Sequence, residues 1–160
     1  MKSEADYIEY YENLATQHKC IVHDEADKSF FYVENPDDLE EFDEYLRTIK
    51  KRVAMLLVAN NGEFNDNGSN NYTDELNAQV YIVIRKTGDK TIRELNNEAK
   101  IILRSVIART RKDHPKEFRI NKVPYTPVGP MCENWYGYTA MLTFICPFGF
   151  SVDSGTWLDK

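Results

Sequence analysis

Apolar and polar residues along the chain follow a helical period in three stretches and a strand period in several others. From residue 91 to 111, Ile92, Leu95, Ala99, Ile102, Leu103, Val106 and Ile107 recur every three to four positions, on one face of an α-helix. Thr91 and Glu94 have capping-box spacing, each side chain satisfying an otherwise unpaired backbone N–H. Arg109, Arg111 and Lys112 complement the negative end of the helix dipole, and Asp113-His114-Pro115 stops the helix. A first helix is predicted over residues 4–17, capped by Ser3 with Asp6 in the capping-box position and striped by Tyr7, Ile8, Tyr11, Leu14 and Ala15. Its tyrosine-rich face suits a sheet edge or a neighbouring subunit. Asn35-Pro36 opens another, with Leu39, Phe42, Leu46 and Ile49 as its buried stripe. Asp37, Asp38, Glu40 and Glu41 load its start and Arg47, Lys50, Lys51 and Arg52 its end, complementing the dipole twice.

The strand pattern begins with residues 20–23 and 29–33, which read as a short N-terminal hairpin turning at residues 24–28. Residues 53–59 form a continuous apolar run, as expected of a strand covered on both faces. Residues 76–85 alternate, with Ala78, Val80, Ile82 and Ile84 on one side and Gln79, Tyr81, Val83 and Arg85 on the other. Between these strands, residues 60–75 are rich in Asn, Gly and Asp and read as a projecting hairpin tip that orders against a partner. Residues 117–123 suit a strand, and residues 125–130 a proline-punctuated turn. From Trp135 to Cys146 the side chains of Tyr136, Tyr138, Ala140, Leu142, Phe144 and Cys146 share a face, and Pro147 is expected to end that strand. The tail after it, residues 147–160, mixes Phe148, Phe150, Trp157 and Leu158 with small residues and needs something to bury it. The expected fold is one α+β domain over residues 1–160, with a single mostly antiparallel sheet, helices on one face and the short N-terminal hairpin.

The 160 residues can bury a sizeable core unaided, and ten Tyr, eight Phe and two Trp argue against overall disorder. Three cysteines without framework spacing fit a reducing compartment. No signal-peptide pattern or membrane-length apolar run is present, so no membrane partner is expected. Charge adds a polarity that the net −6 conceals. Residues 1–46 hold 14 acids and 3 bases, whereas residues 47–160 hold 12 acids and 17 bases. One reading is solvated faces plus helix-end complementarity; the other is an acidic surface that meets a basic one on a neighbouring copy, a head-to-tail contact that closes into a ring when the rotation permits. Nucleic-acid binding calls for a dominant basic patch, and none is evident beyond the end of the residue-91 helix.

Chemistry is sparse. His18, Cys20 and His23 are zinc-type ligands, but their spacing matches no finger or ribbon, and a strand there points Cys20 and His23 to opposite faces. Asp66-Asn67-Gly68 lacks the later bidentate Glu of a calcium loop, and the glycines form no phosphate-binding fingerprint. Cys132 would need a positioned base, with His114 the distant candidate. The carboxylates of residues 37–44 suit helix solvation better than acid–base work. The expectation is therefore a non-enzyme without catalytic residue, metal or cofactor.

The layout of residues 53–59, 76–85, 91–111 and 135–148, short strands around one long helix and then an aromatic strand and apolar tail, resembles the tail terminator and tail-completion proteins of long-tailed phages. The stretch around Cys20 and Phe30 has no counterpart in that family's pattern. The resemblance implies a structural virion protein: a hexameric ring at the head–tail neck that contacts tail-tube and connector proteins. Such a ring is assembled in the host cytoplasm and lets DNA pass without specific binding. Contact residues are then expected in the tip and the tail: Asn65, Asn67, Asn70, Tyr72, Phe148, Phe150 and Leu158, with Trp135 and Trp157 as aromatic anchors. The rival reading is an acidic immunity or anti-defence protein whose N-terminal segment blocks a basic partner enzyme.

Overall fold

The computed structural model describes residues 4–34, 39–66, 68–69, 71–119 and 121–149. In chain order the elements are α1 (Glu4–Gln17), β1 (Phe30–Val33), α2 (Leu39–Thr48), β2 (Val53–Asp66), β3 (Tyr72–Arg85), α3 (Ile92–Asp113), β4 (Phe118–Arg119), β5 (Tyr125–Met131) and β6 (Trp135–Phe148). They build an α+β fold on a six-stranded, mostly antiparallel sheet. The order across the sheet is β1-β2-β3-β6, with β4 and β5 sharing the far side of β6 end to end. Both outer caps expected from the sequence, at Ser3 and at Asn35-Pro36, lie outside the described residues.

The α3 capping box forms as its sequence dictates: the Glu94 N–H donates to the Thr91 hydroxyl, and the Thr91 N–H donates to the Glu94 carboxylate at 2.8 Å. Leu95, Ala99, Ile102, Leu103 and Val106 are buried, joined by Thr110, while Ile92 at the first turn stays exposed. Together with Tyr7, Tyr11, Leu14 and Ala15 of α1 they cover one face of the sheet. The even-numbered residues Val80, Ile82, Ile84, Ala140, Leu142 and Phe144 and the odd-numbered Val53, Met55 and Leu57 form that face.

The helices do not gather on one face. Phe42, Leu46 and Ile49 of α2 pack on the opposite face, over Ala54, Leu56, Val58, Val83 and Trp135. The reason is the run of residues 53–59, apolar at every position: alternate side chains leave both sheet faces needing cover. α2 supplies it because β1 runs parallel to β2, Phe30 opposite Met55 and Val33 opposite Val58, and a parallel pair needs a crossover.

The expected N-terminal hairpin is also absent, and no strand forms at residues 20–23. There the backbone N–H groups go to the end of α1 instead. Val22 donates to His18 O at 2.9 Å and His23 to Ala15 O at 3.1 Å, satisfying carbonyls the helix leaves unpaired.

Four further boundaries differ from the sequence reading. The Asn-rich stretch is mostly strand: β2 runs to Asp66 and β3 starts at Tyr72, with an irregular register between Ala59 and Gly62. Residues 125–130 join β5 rather than a free turn, pairing Tyr125 with Ala140 and Val128 with Gly137. Of the expected strand at 117–123, Phe118 and Arg119 form β4, while Ile120 lies outside the described residues. Pro147 does not end β6, which pairs with β3 as far as Phe148 opposite Tyr72. The Ile145 N–H donates to Glu117 O on the outer side of β6, and strand N–H groups alternate sides. The donor missing at Pro147 would therefore point outward too, where β4 has already ended.

Candidate assembly interface

Beyond the two cores, β2, β3 and β6 run on together as a three-stranded arm. No side chain of residues 62–66, 72–76 or 145–148 is buried, and Phe64 is 68% exposed. On the α1 side of the arm the rings of Phe64 and Phe148 lie 5.0 Å apart and those of Tyr72 and Phe148 6.2 Å apart. The paired register brings them together: Tyr72 faces Phe148 across β3 and β6, and Phe64 faces Asp74 one step along.

Of the residues expected at a contact, Tyr72 and Phe148 are thus neighbours at this site. Asn65 is half-buried on the arm's other face, opposite Thr73. Trp135 is not at a surface. It is 1% exposed in the α2 core, so its indole anchors the fold rather than a partner. It starts β6 beside β3, opposite Arg85, with its side chain on the face that α2 covers, which the composition around it does not reveal. Asn67, Asn70, Phe150, Trp157 and Leu158 lie outside the described residues. Phe64 was missed, although a lone large apolar residue in a polar stretch is the signal that would have found it.

A second surface lies along the flank of α3 that faces β5. Arg93, Lys100, Arg104 and Arg111 follow one another at helical spacing on that flank. The Lys100 ammonium donates to the Tyr125 hydroxyl at 2.9 Å and stands 4.4 Å from that ring's centroid and 5.7 Å from that of Tyr138. The contact holds the Tyr125 phenol below its ordinary range and the lysine above its own. Grooves of about 690 and 340 Å³ open on either side of Lys100, the first lined by Ile92, Arg93, Asn96 and Tyr138 and the second by Arg104, Ile107, Val123 and Tyr125.

The histidines near Cys20 are committed to hydrogen bonds. His23 is buried, and its Nδ1 accepts the Ser29 and Phe30 N–H groups at 3.0 and 3.1 Å. The proton is therefore on Nε2, which donates to Glu12 at 3.3 Å. His18 Nδ1 likewise accepts the Cys20 N–H, so its Nε2 donates to the Ser105 hydroxyl at 2.6 Å. Burial pushes His18 below its ordinary range, yet the donor role at Nε2 is the reverse of what a base activating Ser105 requires. Cys20 itself is exposed. Cys132 lies far from His114: its N–H donates to Asp43 on α2 at 3.0 Å, while His114 meets Glu117 and the Tyr10 ring.

No protein-family model matches the chain, and no curated protein matches it.

Proposed function

We propose that this chain is a structural protein that works by assembling with copies of itself, as a ring-forming tail terminator or neck component joining a phage tail tube to the head-proximal connector. The observation that carries the reading is the three-stranded arm, which holds the 68% exposed Phe64 next to Phe148 beyond either core. An arm of this kind costs strand ordering and returns little burial within one chain, so its stabilisation comes from a contact outside it. The resemblance of the sequence pattern over residues 53–59, 76–85, 91–111 and 135–148 to tail-completion proteins supports the particular assembly. In this reading the ring sits in the virion, is built in the host cytoplasm, and performs no bond-making.

The test is the mass of the full chain in solution, by light scattering on a sizing column and by native mass spectrometry. A closed assembly, six copies in the tail-terminator reading, is the expected result. Phe64→Ser should weaken association roughly tenfold or more while leaving the thermal midpoint nearly unchanged, since the side chain is outside both cores. A chain that stays monomeric at every concentration and captures a basic enzyme would replace the ring with the immunity reading.

A further inference from the structure

We propose that the basic flank of α3 docks onto the acidic β1 side of a second copy, so that copies join head to tail through unlike surfaces. The proposal rests on the self-assembly reading and names the surfaces that would carry it. Folding converts the charge polarity along the sequence into one across the sheet. Residues 4–34, which form α1, the turn after it and β1, hold eight acids and two bases. Residues 91–125, from the α3 cap to the start of β5, hold nine bases and four acids. α1 packs over β1 and β2 and α3 over β3 and β6. The two segments meet at His18–Ser105 and Tyr10–Asp113, and the α3 flank that carries Arg93, Lys100, Arg104 and Arg111 faces β5, turned away from that contact.

Within one copy the exposed charges of the two surfaces do not pair with each other, because the α3 flank turns toward β5 and the acidic turn and β1 lie at the other edge of the sheet. Between β1 and β5 lie four strand spacings, about 19 Å at roughly 4.8 Å each, roughly twice the screening length of about 8 Å at physiological salt. Their complementarity is usable only between copies. Arg93, Arg104 and Arg111 make no ion pair among the described residues, nor do the exposed Glu9, Glu25 and Glu34 on the other side. A two-fold dimer buries one shared surface of both copies, so acidic and basic patches that face different ways do not both enter it; their contact is heterologous and propagates into a ring or filament. Sheet continuation is not the mode, because β5 carries Pro127 and Pro130, which have no N–H to donate to an added strand. The contact is therefore made by side chains, with the 51% exposed Tyr125, held by Lys100, as its aromatic centre.

Two full-length charge-reversed variants test this: Arg93→Glu with Arg104→Glu and Arg111→Glu, and Glu9→Lys with Glu25→Lys and Glu34→Lys. Circular dichroism and thermal melting check that each is folded, and neutral versions with Gln replace any that is not. Each variant alone should need roughly tenfold more protein to assemble, and raising NaCl should dissociate the wild type. An equimolar mixture of the two should recover wild-type assembly with both chains in equal amount, because each then offers what the other lacks. If both variants assemble like the wild type, the docking is overturned while the self-assembly reading stands. If the mixture fails to recover, the flank meets something other than the acidic side, and the docking is again overturned. Retention of fluorescent single-stranded DNA by the wild type but not by the arginine variant, with assembly intact, would reassign the flank to a nucleic acid. A wild type that is monomeric throughout removes the self-assembly reading itself.

Discussion

The Arg85 guanidinium lies 4.7 Å from the ring centroid of Trp135, its register partner across β3 and β6. Arg85 also donates to the Ile49 carbonyl just past the end of α2, so the pair ties that helix to the sheet. Trp135→Ala should therefore act on stability, costing roughly 3–5 kcal/mol through the cavity it leaves. Chemical denaturation measures that loss. A variant with unchanged stability and lost assembly would return Trp135 to the surface.

His23 holds the segment that replaces the expected hairpin. His23→Phe keeps the ring and its edge contact with Phe30, 5.9 Å between centroids, but removes the acceptor for two backbone N–H groups. Since Ser29 is fully buried and Phe30 nearly so, the expected loss is about 2–3 kcal/mol. Glu12→Gln, on a half-exposed partner, should cost less than about 1 kcal/mol. Urea unfolding of the two variants separates these effects.

Glu98 gives the chain an acid-sensitive contact. Two bonds from Arg52, at 2.7 and 2.5 Å, and one from Lys90 at 3.0 Å push its carboxyl down to about 2. A folded-state value below the unfolded one adds stability that is complete above the unfolded value and lost as pH falls through the folded one. The contribution should fade between pH 4.5 and about 2. The side chains are about a third exposed, so solvent screening limits it to about 1 kcal/mol or less. Glu98→Gln should remove it near neutral pH and flatten the stability–pH curve over that window, as measured by thermal melts.

Gly137 of β6 lies opposite Val83 of β3, where the two backbones leave no room for a side chain. A Cβ there would fall 1.9 Å from the Ile82 carbonyl oxygen and 2.9 Å from the Val83 Cα, both backbone atoms that cannot swing aside. Gly137→Ala should cost about 2–3 kcal/mol as β3 and β6 separate locally. Hydrogen exchange at Val83 and its neighbours would report the loosening directly.

Legibility from sequence followed the range of the interactions involved. The Thr91–Glu94 capping box, the α3 stripe and the alternation of β3 depend on residues a few positions apart, and the structure has them where the pattern put them. The segment after α1 departs from the expected hairpin because a short apolar run looks the same whether it pairs with a strand or caps a helix. Only the Ala15 and His18 carbonyls decide between these. Pro147 stays within β6 for a related reason: what matters is which side of β6 its absent N–H faces, and that depends on where β4 ends. At the candidate interface, the stretch holding Tyr72 and Phe148 could be singled out, but their pairing with Phe64 rests on register between three strands.

By itself the sequence determined the local elements, the need of the residue 53–59 strand for cover on both faces, and the split of charge between the two ends of the chain. Periodicity, capping and charge are properties of neighbouring residues and survive without knowledge of the fold. Only the tertiary structure decided that β1 runs parallel to β2, that α2 covers the second face, and that Trp135 is core. These follow from contacts between residues far apart in the chain, and no local pattern specifies which distant partner burial will select.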